Sequence, residues 1–285
     1  MFRARPLSVL LAAGAFAAVI ASAASAAPLY SQGFETDTSG WSAPTRVPSG
    51  TDGVPSASGS YHAETAQGAG DYTTWGGYNN STGGSPGAFQ PYTTSLDIYL
   101  NVGAGAANDT RFDFTNAINN PSGNFLRDFV FNVGFYDSAD NTGPGAGTDR
   151  FIVSASNNAG RGNAYPKDPG RNPTSIGTTG WYTFQEAFFD NGGALGVTLS
   201  ILDSADATIG SWLLGGDPIG GVGGNRYGWF AANEFRFIAI DNASLTAPSA
   251  TPLPSALPLF VTGFGAIGLL SWRRKRKPVA AARLR

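Results

Sequence analysis

Two short segments set aromatic rings among small and amide residues, a combination suited to holding a sugar. Asp71-Tyr72-Thr73-Thr74-Trp75-Gly76-Gly77-Tyr78-Asn79-Asn80-Ser81 is the first, and Asn225-Arg226-Tyr227-Gly228-Trp229-Phe230 is the second. Flat rings stack on the apolar faces of sugars while nearby amides, carboxylates and backbone groups hold the hydroxyls. Ligand sites commonly mix an apolar surface with a few placed polar groups in this way. The expected ligand contacts are therefore Tyr72, Trp75, Tyr78 and Trp229. Tyr and Trp are also ordinary core residues of β proteins, and Trp41 and Trp181 are read that way.

A second constellation is acidic. Phe135-Tyr136-Asp137-Ser138-Ala139-Asp140-Asn141 and Ile201-Leu202-Asp203-Ser204-Ala205-Asp206-Ala207 both carry Asp-Ser-Ala-Asp after an apolar run. Asp and Ser side chains bond the backbone amides that follow them, so both stretches are read as tight turns. The alternative for the first loop is a calcium site at Asp137, Asp140 and Asp149, although the spacing does not match an EF-hand.

Catalytic chemistry finds little footing. The chain has four Glu, at 35, 64, 186 and 234, and one His, at 62. A glycosidase needs two carboxylates about 5–10 Å apart. Glu186 and Asp190, on one face of a strand, would lie about 13 Å apart. P-loop and zincin motifs are missing. In Ser60-Tyr61-His62-Ala63-Glu64 a strand would set Glu64 beside His62 as an orienting group, but a structural His is the expectation. With no Cys and one His, thiolate and two-His metal sites within one chain are excluded. The expectation is a protein that is not an enzyme and has no cofactor, calcium apart.

These residues sit in a sequence patterned for strands. Gly and Pro make 57 of 285 residues, and they separate short runs rich in Val, Ile, Phe, Tyr and Thr. In 94–102, Leu96, Ile98, Leu100 and Val102 alternate with other residues, the period of a half-buried strand. Further strands are expected at 111–115, 128–136, 150–155, 181–189, 195–202, 209–214 and 235–245. No body segment sustains a helical period. The pattern predicts an all-β, antiparallel two-sheet sandwich over residues 27–249.

Both ends have a different character. Arg3 and Arg5 precede an apolar stretch from Leu7 to Ala21, and Ala24-Ser25-Ala26 supplies small residues. This is the order of a signal peptide over residues 1–26. Cleavage is expected after Ala26 rather than Ala27, which would leave Pro28 first. At the other end, residues 250–285 hold Pro252-Leu253-Pro254, an uncharged apolar run over 253–272, and the bases Arg273, Arg274, Lys275, Arg276 and Lys277. About 20 apolar residues suffice for a transmembrane helix, and the bases place the tail on the cytoplasmic side.

The charges divide sharply. Between Ala27 and Ala250 there are nine bases against twenty acids, a net charge of about −11. Such a body is repelled by nucleic acid and anionic membranes, so no nucleic-acid partner is expected.

The motif, helix and basic end, in that order, resemble the PEP-CTERM/VPLPA-CTERM sorting signals that accompany exosortase processing in Gram-negative bacteria exporting polysaccharide. Pro252-Leu253-Pro254 matches their centre, while Thr251 and Ser255 replace the usual Val and Ala. The resemblance implies an exported precursor tethered to the inner membrane by its C-terminal helix. An exosortase-type enzyme would then process it for the cell surface or extracellular matrix, where polysaccharide, as in a biofilm, is the implied partner. The body also resembles jelly-roll carbohydrate-binding and laminin-G/concanavalin-like domains. The likeness is carried by Gly33-Phe34-Glu35-Thr36-Asp37-Thr38-Ser39-Gly40-Trp41 and by Phe237-Ile238-Ala239-Ile240-Asp241-Asn242-Ala243-Ser244-Leu245. It implies a jelly-roll-like sandwich whose first and last strands pair, with a structural or metal role for Asp241. A structural or adhesive matrix protein without glycan binding, and a jelly-roll hydrolase or lyase, are the alternatives.

Overall fold

The computed structural model describes residues 28–68, 72–73, 88–157, 166–231 and 233–247. All of them fall within one compact unit, Ala26–Pro248. The expected signal peptide and the expected sorting tail, including Pro252, Leu253, Pro254 and the bases 273–277, lie outside the described residues. Among the described residues no helix is long and apolar enough to cross a membrane.

The strands are β1 Pro28–Gln32, β2 Thr45–Pro48, β3 Tyr61–Ala66, β4 Tyr72–Thr73, β5 Tyr92–Leu100, β6 Thr110–Asn119, β7 Phe125–Tyr136, β8 Arg150–Asn157, β9 Thr174–Ile176, β10 Gly180–Asp190, β11 Ala194–Leu202, β12 Thr208–Pro218, β13 Gly224–Ala231 and β14 Phe237–Thr246. They build two sheets. One has eight strands in the order β12-β11-β10-β5-β14-β3-β2, with β1 also on β14; the other has six, β4-β13-β6-β7-β8-β9. The strand pairings are antiparallel. The expected two-sheet antiparallel arrangement is present, and the first strand does pair with the last.

Alternation decides what lies between the sheets. On β5, Tyr92, Thr94, Leu96, Ile98 and Leu100 are buried and the residues between them are half-buried. The six-stranded sheet answers with Phe112 and Phe114 on β6 and Phe129, Phe131, Val133 and Phe135 on β7, each at most 1% exposed. Phe131 meets Phe184 edge-on at 5.1 Å, and Phe129 meets Phe188 at 5.7 Å. Full burial of each such ring contributes roughly 1.5–3 kcal/mol, so this aromatic layer is the main adhesive of a core with no disulfide.

Three expectations change. Residues 33–41 form no strand; β1 ends at Gln32, and the chain then turns. The Gln32 amide organises the turn, donating to the Ser39 carbonyl at 3.0 Å and accepting from the Phe34 amide at 2.8 Å. Phe34 adopts a φ of 54° with its ring fully buried, so packing overrides a backbone preference. Trp41 is a core residue, as expected, 8% exposed and 6.2 Å from Phe34. Trp181 is not. It shares the outward parity of Tyr99, its partner on β5, and its indole donates to the Pro55 carbonyl at 2.7 Å. Finally, β6 runs on past Thr115 to Asn119: polar Thr115 and Asn116 resemble a loop, yet the ladder to β7 continues through them.

Candidate functional site

The outer face of the six-stranded sheet collects the polar and aromatic groups best placed to hold a ligand. On β13, Phe230 points inward against Phe112 and Phe114, so Trp229 and Tyr227 take the other face. Trp229 stands opposite Thr115 on β6, Thr115 opposite Val130 on β7, and Val130 opposite Ser156 on β8. The next rung reads Ala231, Asp113, Asn132 and Ser154, and the rung on the other side Tyr227, Ala117 and Asp128. The Tyr227 and Trp229 rings meet edge-on at 6.4 Å, and Arg226 lies 5.4 Å from the Tyr227 ring.

A hydrogen-bond chain crosses this face. Asn132 Nδ2 donates to Asp113 Oδ1 at 2.8 Å, and Ser156 Oγ donates to Asn132 Oδ1 at 2.7 Å. Arg171, from the short turn Pro169–Arg171, reaches the same Asn132 oxygen at 3.4 Å. Burial raises the pKa of Asp113, against the opposing bond from Asn132. Burial raises Asp128 as well, with the Trp229 indole and the Arg226 guanidinium favouring its charged form. Asn132 and Ser156 are themselves buried, each 5% exposed, while Asp113, Tyr227 and Trp229 are half-buried, so the rings and the Asp113 carboxyl are the part that can face a polyhydroxylated ligand.

Of the residues expected at the site, Tyr72 and Trp229 fall on paired strands: β4 lies against β13, with Tyr72 opposite Trp229 in the ladder. Trp75 and Tyr78 lie outside the described residues. Asp113, Asn132, Ser156 and Arg171 escaped the sequence reading. The alternation Arg111-Phe112-Asp113-Phe114-Thr115 marked Asp113 as facing away from the core, but nothing local pairs it with Asn132.

The acidic loop has protein partners throughout. Asp137 Oδ1 accepts from the Ala139 amide at 2.9 Å, and Asp149 Oδ1 from the Ser138 amide at 2.7 Å. Asp140 binds Lys167 at 2.6 Å and Arg150 at 3.0 Å, and these bonds, Lys167 first, hold its carboxyl well below the usual range. Among the described residues no group of three or more His, Asp or Glu is placed to hold a metal. The matching stretch closes the β11–β12 turn, where Asp203 Oδ1 accepts from the Ala205 and Ala207 amides.

The remaining candidates are tied into the fold. His62 is fully buried, with Nδ1 3.2 Å from Ser56 Oγ and Nε2 3.9 Å from Glu64 Oε1; burial pushes its pKa down. Asp241 accepts from the Asn242 and Ser58 amides at 2.8 and 3.2 Å. Burial, reinforced by the neighbouring Asp97, lifts its pKa to about 6.

Fold and site together define an all-β two-sheet sandwich with a polar and aromatic outer face. Among solved structures it is similar to the CBM2 module of the evolved Dit of Lactobacillus casei BL23 phage J-1. That similarity has a TM-score of 0.41 and 11% identity, over 79% of this chain and 97% of that one. No protein-family model matches the sequence, and no curated protein matches it.

Proposed function

We propose that this is an exported bacterial surface or extracellular-matrix protein that binds polysaccharide non-covalently through the outer face of the six-stranded sheet. The observation that carries the reading is the Trp229–Tyr227 pair beside Asp128, adjoining the Asp113–Asn132–Ser156 chain. The half-buried rings supply the stacking surface, and the buried Asn132–Ser156 pair holds the Asp113 carboxyl in place to supply directional bonds. A glycan array probed with residues 27–250 tests it. Trp229→Ala is expected to weaken the best hit by at least about 2 kcal/mol, roughly 30-fold. Failure to bind any glycan overturns the reading, and self-association without glycan binding would identify a structural matrix protein instead.

The sorting half of the proposal rests on the sequence of both ends. Export removes residues 1–26, and exosortase-type processing near Pro252-Leu253-Pro254 releases the body from its membrane helix. Mass spectrometry of the secreted form is expected to find a C-terminus near Pro254. A membrane-retained product ending at Arg285 would refute it.

A further inference from the structure

One end of the sandwich opens into a pocket of about 340 Å³ that lies apart from the glycan face. Beneath it lies the end of the core, with Leu100 from β5, Phe112 from β6 and Phe151 from β8 buried, and Tyr99 from β5 and Phe235 from the segment entering β14 half-buried at its surface. Phe235 meets Phe112 at 5.9 Å and Phe151 at 5.8 Å, so the two buried rings hold the half-buried Phe235 in place. Such a volume falls within the range of small-molecule sites, which pair an apolar lining with a few orienting groups.

The orienting groups are Glu234 and Arg236, both at the rim. Glu234 is anchored by its neighbour across the rim. Its amide donates to the Arg111 carbonyl at 2.8 Å, and its Oε2 accepts from the Arg111 amide at 2.9 Å. Arg236 is exposed. Its charge favours ionisation of Glu64, yet it forms no ion pair with a carboxylate among the described residues. A guanidinium at the mouth of an aromatic pocket has the fork geometry that recognises a carboxylate. Glu234 on the same rim opposes any anion, so a ligand carboxylate must be held by the Arg236 fork.

We propose that this pocket binds a small molecule with an apolar body and one carboxylate, the body against the half-buried Phe235 and Tyr99 and the carboxylate on Arg236. Its lining shares no residue with the glycan face.

Calorimetry on the full-length protein tests the proposal with phenylpropionate and its uncharged analogue phenylpropanamide, which differ only in the group facing Arg236. Phenylpropionate is expected to bind at one site, at least about tenfold more tightly than the amide. Arg236→Gln should bring phenylpropionate down to the amide's affinity. Ala106→Trp, at the half-buried mouth, should abolish binding of both. Equal affinities for acid and amide, undiminished acid binding in Arg236→Gln, or no binding of either compound would each overturn it.

Discussion

Glu186→Leu is expected to stabilise the protein by about 1–3 kcal/mol near neutral pH, with a gain that widens as pH rises. Glu186 lies on β10 between the core residues Phe184 and Phe188, with no exposure. Thr94 stands opposite it on β5 and Leu199 on β11. Among the described residues, neither carboxyl oxygen makes a hydrogen bond of good geometry, nor do the amide atoms of nearby Asn116 or the Thr94 hydroxyl. A buried polar group in this state keeps its desolvation penalty without compensation. Burial is the main cause raising its pKa well above the usual carboxylate value; Asn116 opposes the shift and Asp128 adds to it.

The sign of the pH dependence follows. A carboxyl whose folded pKa exceeds its unfolded value binds its proton more tightly in the folded state. Its contribution is fully present below the unfolded pKa and is lost as pH rises through the folded one. Wild type should therefore lose stability toward alkaline pH, and Glu186→Leu should not share that loss. Urea unfolding followed by tryptophan fluorescence at pH 5, 7 and 9 measures both effects. The same difference between the two proteins at pH 5 and pH 9 would contradict the assignment. Glu186→Gln separates the causes, since it removes the titration but leaves a buried polar group.

Arg150→Met is expected to act in the opposite direction, costing about 3–5 kcal/mol. Arg150 opens β8 and has no exposure. Its guanidinium donates to the carbonyls of Thr148, Pro144 and Thr142 at 2.7–2.8 Å, and to Asp140 Oδ1 at 3.0 Å. The loop from Asp137 to Asp149 thus wraps around one cation, with Gly143, Gly145 and Gly147 at positive φ permitting the curvature. Removing the cation strands three carbonyls and leaves Asp140 with Lys167 as its remaining ion-pair partner. At roughly 2–4 °C per kcal/mol for a domain of this size, calorimetry should show the melting temperature falling by about 6–20 °C. Arg150→Lys should rescue little, because one ammonium cannot span the same fork of acceptors. A loss below about 1 kcal/mol would mean that the loop is held by its other bonds.

Several features were legible without any tertiary information. The strand segments at 128–136, 150–155, 181–189 and 195–202 match β7, β8, β10 and β11 to within a few residues, because alternation and turn residues act locally. Both Asp-Ser-Ala-Asp stretches are turns, since Asp137 and Asp203 bond amides two residues ahead. The short strands β2, β4 and β9 were not legible. Few residues each and no marked alternation leave them defined by their neighbours rather than by their own pattern.

Sequence alone determined the class of fold, the acidity of the body and the character of the two ends, all of which depend on composition and on order along the chain. Only the tertiary structure decided which aromatic rings are available. Trp41 and Trp181 are alike in sequence, yet one is in the core and the other lies on an outer face. It also decided that Tyr72 stands opposite Trp229 in the strand ladder, that Asp113, Asn132 and Ser156 form one chain, and that Glu186 points inward. A period of two shows which residues share a face, but not which face is covered or which strand lies alongside. Those choices come from pairing between distant segments, and the site exists only after that pairing is made.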